Sequence, residues 1–334
     1  MRAVPRPAQL AALAGTTVPL ASCGSTQSAL KPESHASERI ADLWWLLLVI
    51  SVVVLTVVTV LVLAVALRAR GRRGDPAAAG EGGGTWFVAL AGAAVPAVVL
   101  VALFVVTVEA LPATSPPRPG HAALTVDVRG RTWFWEVAYR GTPARTANEI
   151  HIPARTPVRV RLSTGDVIHS FWIPELNRKV DMIPHRVNSV LLDARRPGVY
   201  RGQCAEFCGL QHAHMSFLVI AQPPAAFRRW LRQQARPAAR PTGTAARGRD
   251  VFLRDGCAGC HTIRGTSADG RVGPDLTHVA GRSTLAANTI PNRRGYLAGW
   301  IVDPQHVKPG NLMPATNLSG PDLQALLDYL EALR

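Results

Sequence analysis

The chain has 334 residues, enough for two ordinary domains with further segments. Apolar residues make up 48% of it despite 26 prolines and 28 glycines, so apolar runs must alternate with loop-rich domains. The formal charge of +15 is almost wholly arginine, with lysine only at Lys31, Lys179 and Lys308; because no nucleic-acid motif accompanies it, the charge does not point to a nucleic-acid partner.

In chain order, residues 1–23 read as a signal peptide. Arg2 and Arg6 precede a short apolar stretch from Leu10 to Leu20, which ends Leu20-Ala21-Ser22-Cys23. That ending resembles a bacterial lipobox, and lipidation of Cys23 would use the odd member of five cysteines; an ordinary signal peptide is the plainer alternative. Residues 43–67 then run without a charge, and residues 86–110 give a second apolar stretch. Each is long enough to cross a bilayer as a helix. The loop between them holds Arg68, Arg70, Arg72 and Arg73 against Asp75 and Glu81, which sets that loop on the cytoplasmic side and everything after it outside. Trp44, Trp45 and Trp86 lie near the span ends, as interfacial anchors do. The expected location is a bacterial cell membrane, crossed twice, with the rest of the chain extracytoplasmic.

Residues 120–222 change to short β-type runs punctuated by Gly and Pro, such as Val158-Arg159-Val160-Arg161-Leu162 and Ser216-Phe217-Leu218-Val219-Ile220. The alternation predicts an antiparallel β-sandwich. Near its end stands Cys204-Ala205-Glu206-Phe207-Cys208-Gly209-Leu210-Gln211-His212-Ala213-His214-Met215. Thiolate, imidazole and thioether together favour copper over Mg²⁺ or Ca²⁺, and a second cysteine permits two coppers bridged by both sulfurs. A disulfide is the bland reading of the pair.

Residues 223–244 are Pro- and Arg-rich around a short helical run, and read as a semi-rigid linker. Residues 245–334 open on Cys257-Ala258-Gly259-Cys260-His261, the attachment signature of a c-type haem, in which two thioethers grip the porphyrin and the adjacent histidine binds iron. A thioredoxin-like pair or half a zinc site would need a βαβ pattern or a second Cys/His pair, and neither is there. Ser319 is placed to cap a last helix with leucines at helical spacing, and Tyr329 to pack on an early helix carrying Phe252.

The copper segment resembles the CuA loop of cytochrome c oxidase subunit II, C-x-E-x-C-x-x-x-H-x-x-M, and Asp166-Val167-Ile168-His169-Ser170 resembles the same family's D-V-x-H-S. The resemblance implies a cupredoxin-like domain in which His169 and His212 each bind one copper, Cys204 and Cys208 bridge both, and Met215 and the Glu206 carbonyl bind weakly. It implies further that the Glu206 side chain reaches a Mg²⁺ shared with subunit I, and that electrons come in through Trp133 of Trp133-Phe134-Trp135. His214 matches no ligand position. Residues 245–334 resemble an all-α class I cytochrome c, with Met313 in Gly310-Asn311-Leu312-Met313-Pro314 as the second iron ligand. The order implies an electron-input subunit: a cytochrome c or a quinol–cytochrome c reductase reduces haem c, haem c the copper pair, and the copper pair subunit I, where oxygen is reduced and protons are translocated. A quinol-oxidase-type relic would lack the copper ligands, a copper store needs no haem, and nitrous-oxide reductase needs a His-rich catalytic domain that ten histidines do not provide.

Overall fold

The computed structural model describes residues 27–71, 84–115 and 122–334. The signal segment with Cys23, and Arg72, Arg73, Asp75 and Glu81 of the inter-span loop, lie outside the described residues.

Helix α1 (His35–Gly71) is the first apolar span. The second is α2 (Gly84–Ala89), a π turn (Leu90–Ala94) and α3 (Val95–Thr114) in one run, packed against α1. Both are long and apolar enough to cross a membrane. The π turn has a local cause: Pro96 brings no N–H, and its ring would collide with the carbonyl four residues back, so the wider turn absorbs it. Both ends of the hairpin are tied to the following domain. Glu33 N donates to Glu175 O at 2.8 Å, Ser37 Oγ to the same carbonyl at 2.8 Å, and Arg178 Nε to Thr114 O at 2.7 Å. Arg195 and Arg196 pair with Glu38 and Glu33.

The next domain is a sandwich of two five-stranded sheets. Its strands are β1 (Leu124–Arg131), β2 (Phe134–Tyr139), β3 (Arg145–Ala147), β4 (Glu149–Pro153), β5 (Val158–Thr164), β6 (His169–Trp172), β7 (Val180–Met182), β8 (Asn188–Leu192), β9 (Gly198–Cys204) and β10 (Ser216–Gln222). One sheet runs β3-β2-β1-β5-β8 and the other β4-β10-β9-β6-β7. The expected β-sandwich is present and most of its strand pairs are antiparallel; within it β1 pairs β5 in parallel, with Leu124 opposite Val158, and β10 pairs β4 in parallel, with Leu218 opposite Glu149. The chain passes to the other sheet between β3 and β5 and returns in the direction it left. Val126, Val128, Trp135, Val160, Leu162, Phe171 and Phe217 fill the space between the sheets, and β5 alternates buried and half-buried residues along its length.

Helix α4 (Pro224–Gln234) lies in the Pro-rich segment and packs on the sandwich: Phe227 is buried, and Trp230 stacks on His151 at 3.9 Å between ring centroids. The last domain comprises α5 (Gly243–Arg254), α6 (Cys257–Cys260), a minimal hairpin of β11 (Thr284–Leu285) and β12 (Ile290–Pro291), α7 (Arg294–Val302), α8 (Pro304–Val307) and α9 (Gly320–Ala332). Apart from that hairpin it is helical. Helices α5 and α9 cross at Gly248, where a Cβ would lie 1.9 Å from Ala325 O, so only glycine permits the approach. Phe252 meets Tyr329 edge to face at 6.0 Å, over a core of Val251, Leu326, Leu327 and Leu330. Ser319 Oγ accepts from Asp322 N, capping α9.

Candidate metal centres

The first centre is built where two neighbouring strands end. Cys204 is the last residue of β9, and Phe171 of β6 is its partner in register, which sets His169 at the start of β6 beside it. The intervening residues make a loop closed at its base by Cys204 N donating to Met215 O at 2.9 Å. Cys204 Sγ lies 3.7 Å from Cys208 Sγ and 3.8 Å from His169 Nδ1. Cys208 Sγ lies 3.6 Å from His212 Nδ1 and 3.8 Å from Met215 Sδ, and Glu206 O is 3.2 Å from Cys204 Sγ. All six predicted positions therefore converge. His214 is exposed beside them, and the Glu206 side chain faces outward, with a carboxylate oxygen 3.8 Å from Lys179 Nζ.

Both cysteines are free, and their sulfurs are too far apart for an S–S bond of about 2.05 Å. Each sulfur also has its own imidazole nitrogen, which is the donor arrangement a pair of thiolate-bridged metals requires. Among the described residues, His169, Cys204 and Cys208 form a group whose ligand atoms lie within 4.8 Å of one another, all three buried. The hydrogen bond between the two sulfurs lowers the Cys204 pKa to about 3, helped by His169, and raises that of Cys208. Burial opposes a charged His169, but its hydrogen bonds to Asp166 and Cys204 win and raise it to about 9.

Asp166 fixes this histidine. Its Oδ1 lies 2.9 Å from His169 Nε2, which leaves Nδ1 directed at the sulfur. Gly130 clears space for the ring: a Cβ there would lie 2.8 Å from His169 Cδ2. Trp133, in the β1–β2 turn, donates from Nε1 to Cys208 O at 2.8 Å, whereas Trp135 is fully buried packing.

The second centre is a cavity of roughly 320 Å³ lined by Cys257, Cys260, His261 and Met313. Helix α6 presents the two cysteines one turn apart. His261 Nδ1 donates to Pro274 O at 2.8 Å, so Nε2 keeps its lone pair, and burial lowers the pKa and favours the neutral ring. Gly273 admits that ring, since a Cβ there would lie 2.4 Å from His261 Cε1. Arg282 Nε and Thr284 Oγ1 are buried without hydrogen-bond partners among the described residues, and both residues line the cavity. Two unpartnered polar groups in a mainly apolar cavity suit a macrocycle that carries carboxylates. Trp133 and Lys308 line it as well, so the cavity abuts the copper domain. Lys308 was not marked by any motif; its scarcity as one of three lysines was the only signal.

Three comparisons bear on these centres. The family described as the periplasmic domain of cytochrome c oxidase subunit II matches residues 142–222, and the cytochrome c family matches residues 245–334. A protein of Alkalihalophilus pseudofirmus named cytochrome c oxidase subunit 2 is 32% identical over 92% of this chain and 91% of its own length. The chain belongs to the cytochrome c oxidase subunit II family. A Bacillus subtilis protein of the same name is 30% identical over 94% of each chain. The solved periplasmic domain of subunit II from Bradyrhizobium japonicum is 29% identical over 36% of this chain and 96% of that one, with a TM-score of 0.34. As a member of that family, the chain is a subunit of an oxidoreductase complex. Its periplasmic-domain match brings the CuA copper and its cytochrome c match the haem, in a membrane protein with other oxidase subunits as partners.

Proposed function

We propose that this chain is the electron-input subunit of a haem–copper terminal oxidase, crossing the membrane twice with both centres on the outer side. A signal peptide over residues 1–23, a copper domain over 120–222, a linker over 223–244 and a cytochrome domain over 245–334 complete the reading. When bound, a covalent haem c and a dinuclear copper pair supply one-electron carriers, and subunit I uses the electrons to reduce oxygen to water with proton translocation.

The chain's own residues hold and align those carriers. Cys257 and Cys260 would attach the haem and His261 and Met313 would bind its iron, and ligation by imidazole and thioether would raise the potential to a range suited to passing electrons on. His169, Cys204, Cys208 and His212 hold the copper pair, with Met215 and the Glu206 carbonyl as weak ligands. Sharing one electron over two bridged metals keeps the loop geometry nearly fixed between oxidation states, as a relay requires. Glu206, 45% exposed, is assigned to a Mg²⁺ shared with subunit I, and Phe207, 76% exposed on the copper loop, is an apolar face for that subunit to cover. The donor is a cytochrome c or a quinol–cytochrome c reductase.

One observation carries the relay. Trp133 lines the cytochrome cavity and its Nε1 donates to the carbonyl of Cys208, so a single residue touches both centres. The test uses the full chain with haem attached and copper loaded: metal and haem counted per chain, and electron paramagnetic resonance of the half-oxidised copper. The expected result is two coppers, one covalent haem and an unpaired electron shared over both nuclei. One copper with a localised signal would overturn the copper assignment and leave the cytochrome standing.

A further inference from the structure

The cytochrome domain sends one short stretch, residues 308–313, against the copper loop. Lys308 begins it and Met313 ends it. Lys308 is 3% exposed, and its ammonium donates to Trp133 O at 3.0 Å, His214 O at 2.9 Å and Ala286 O at 3.4 Å. Three N–H donors thus meet three carbonyls from three separate segments, two in the copper domain and one in its own. Around it, Gln211 Nε2 donates to Pro309 O at 2.7 Å, and Ser216 Oγ to Ala287 O at 3.2 Å.

A buried ammonium with only carbonyls for company is costly to desolvate, and an apolar side chain would fill the same space without that cost. What an apolar side chain could not do is fix the direction of three carbonyls at once. One of them belongs to Trp133, which lines the haem cavity, and another to His214, between His212 and Met215 of the copper loop. Hydrogen bonds to a charged donor are about twice as strong as neutral ones, which suits a contact meant to hold one geometry.

We infer that Lys308 is a positioning residue for transfer between the two centres: it clamps the Met313 loop to the copper loop and fixes the Trp133 backbone between them. This rests on the relay proposed above. The step it serves moves one electron: the haem iron goes from ferrous to ferric, the copper pair gains that electron, and no bond forms and no proton moves. A second consequence is electrostatic. Burial lowers the Lys308 pKa to about 8, so below that pH its charge favours the reduced state of each centre, and removing it lowers both reduction potentials.

The experiment is flash reduction of haem c in the intact oxidase complex, following haem and copper absorbance in wild type, Lys308→Met and Ser283→Ala. Ser283 donates to Glu149 across the same domain junction but does not reach Trp133. Lys308→Met is expected to slow haem-to-copper transfer at least tenfold and to shift both potentials down, with two coppers and one haem still bound; Ser283→Ala is expected to change the rate less than twofold. If wild type shows no copper reduction after haem reduction, the relay itself is wrong. If wild type relays and Lys308→Met keeps its rate and potentials, the clamp is wrong and the relay stands. Equal slowing in Ser283→Ala would also overturn it, by reducing Lys308 to one domain contact among others. Should Lys308→Met lose either cofactor, Lys308→Gln, which keeps two neutral donors, replaces it: a several-fold slowing is expected, and an unchanged rate overturns the inference.

Discussion

Asp166 lies three residues before His169, and its two oxygens are used separately. Oδ1 accepts from His169 Nε2, from Thr164 Oγ1 and from Val167 N, at 2.9, 2.8 and 2.8 Å, while Oδ2 accepts from Thr132 N at 2.7 Å. One carboxylate thereby orients the His169 ring, proposed to bind copper, and holds the backbone just before Trp133. These bonds outweigh the effect of its burial and keep the Asp166 pKa well below the ordinary range. In Asp166→Asn the side chain keeps its size but loses the charge and two strong acceptor sites. Partners of metal-bound histidines typically change affinity about 10- to 100-fold when replaced. Copper affinity measured by chelator competition should therefore fall by about one to two orders of magnitude, with the haem spectrum unchanged; equal affinity would remove Asp166 from the site. The cluster proposed to hold copper was legible in the sequence, because Cys204, Cys208, His212 and Met215 stand within twelve residues and spacing alone brings them together. Asp166 was legible as part of a motif but its second role was not, since Thr132 and Asp166 are neighbours only because β1 and β5 pair in parallel.

At the scale of elements, periodicity found the strands and helices but not how they join. The apolar alternation of Val158–Leu162 marks a half-buried strand whichever way its neighbour runs, so the two parallel pairs were invisible. The π turn before Pro96 and the fit of α5 on α9 were equally hidden, because both depend on single close approaches. The α5–α9 crossing is testable. A Cβ at Gly248 would meet the backbone oxygen of Ala325 at 1.9 Å and Tyr329 Cβ at 2.8 Å, neither of which can swing aside. Gly248→Ala must force the helices apart, and overpacking of that kind costs about 1–3 kcal/mol. A gain of helix propensity worth up to about 1 kcal/mol opposes it and does not cover it. Thermal unfolding followed at the haem absorbance should show a Tm several degrees lower than wild type; a Tm that holds or rises would mean that α5 and α9 do not cross this closely.

On the scale of the whole chain, the stretch read as a linker carries a helix fastened to both domains. Trp230 of α4 stacks on His151 of the sandwich, while Arg264 of the cytochrome domain donates to Gln234 O and Ala235 O at 2.6 and 3.1 Å. Composition could not reveal this, since Pro- and Arg-rich segments read alike whether free or docked. Beside it, Glu149 of β4 is 2% exposed, accepts from Ser283 N at 2.7 Å and from Ser283 Oγ, and lies 3.6 Å from His151 Nε2. Burial alone would raise its pKa, but the close His151 imidazole and the hydrogen bonds from Ser283 outweigh it and hold the carboxyl below its ordinary value of 4.5. A carboxyl whose folded pKa is depressed contributes stability above the unfolded value, and that contribution is lost as pH falls from there through the folded value. The junction should therefore hold at neutral pH and weaken below about 4.5, where the proton taken up ends the charge-assisted bonds. Protease cutting between residues 236 and 243 gives the measurement, taken from pH 7 down to pH 3. Wild type should become susceptible as the pH drops, whereas Glu149→Gln should be cut more readily throughout and show a flatter pH dependence. Parallel profiles for the two chains would place the acid sensitivity in some other group.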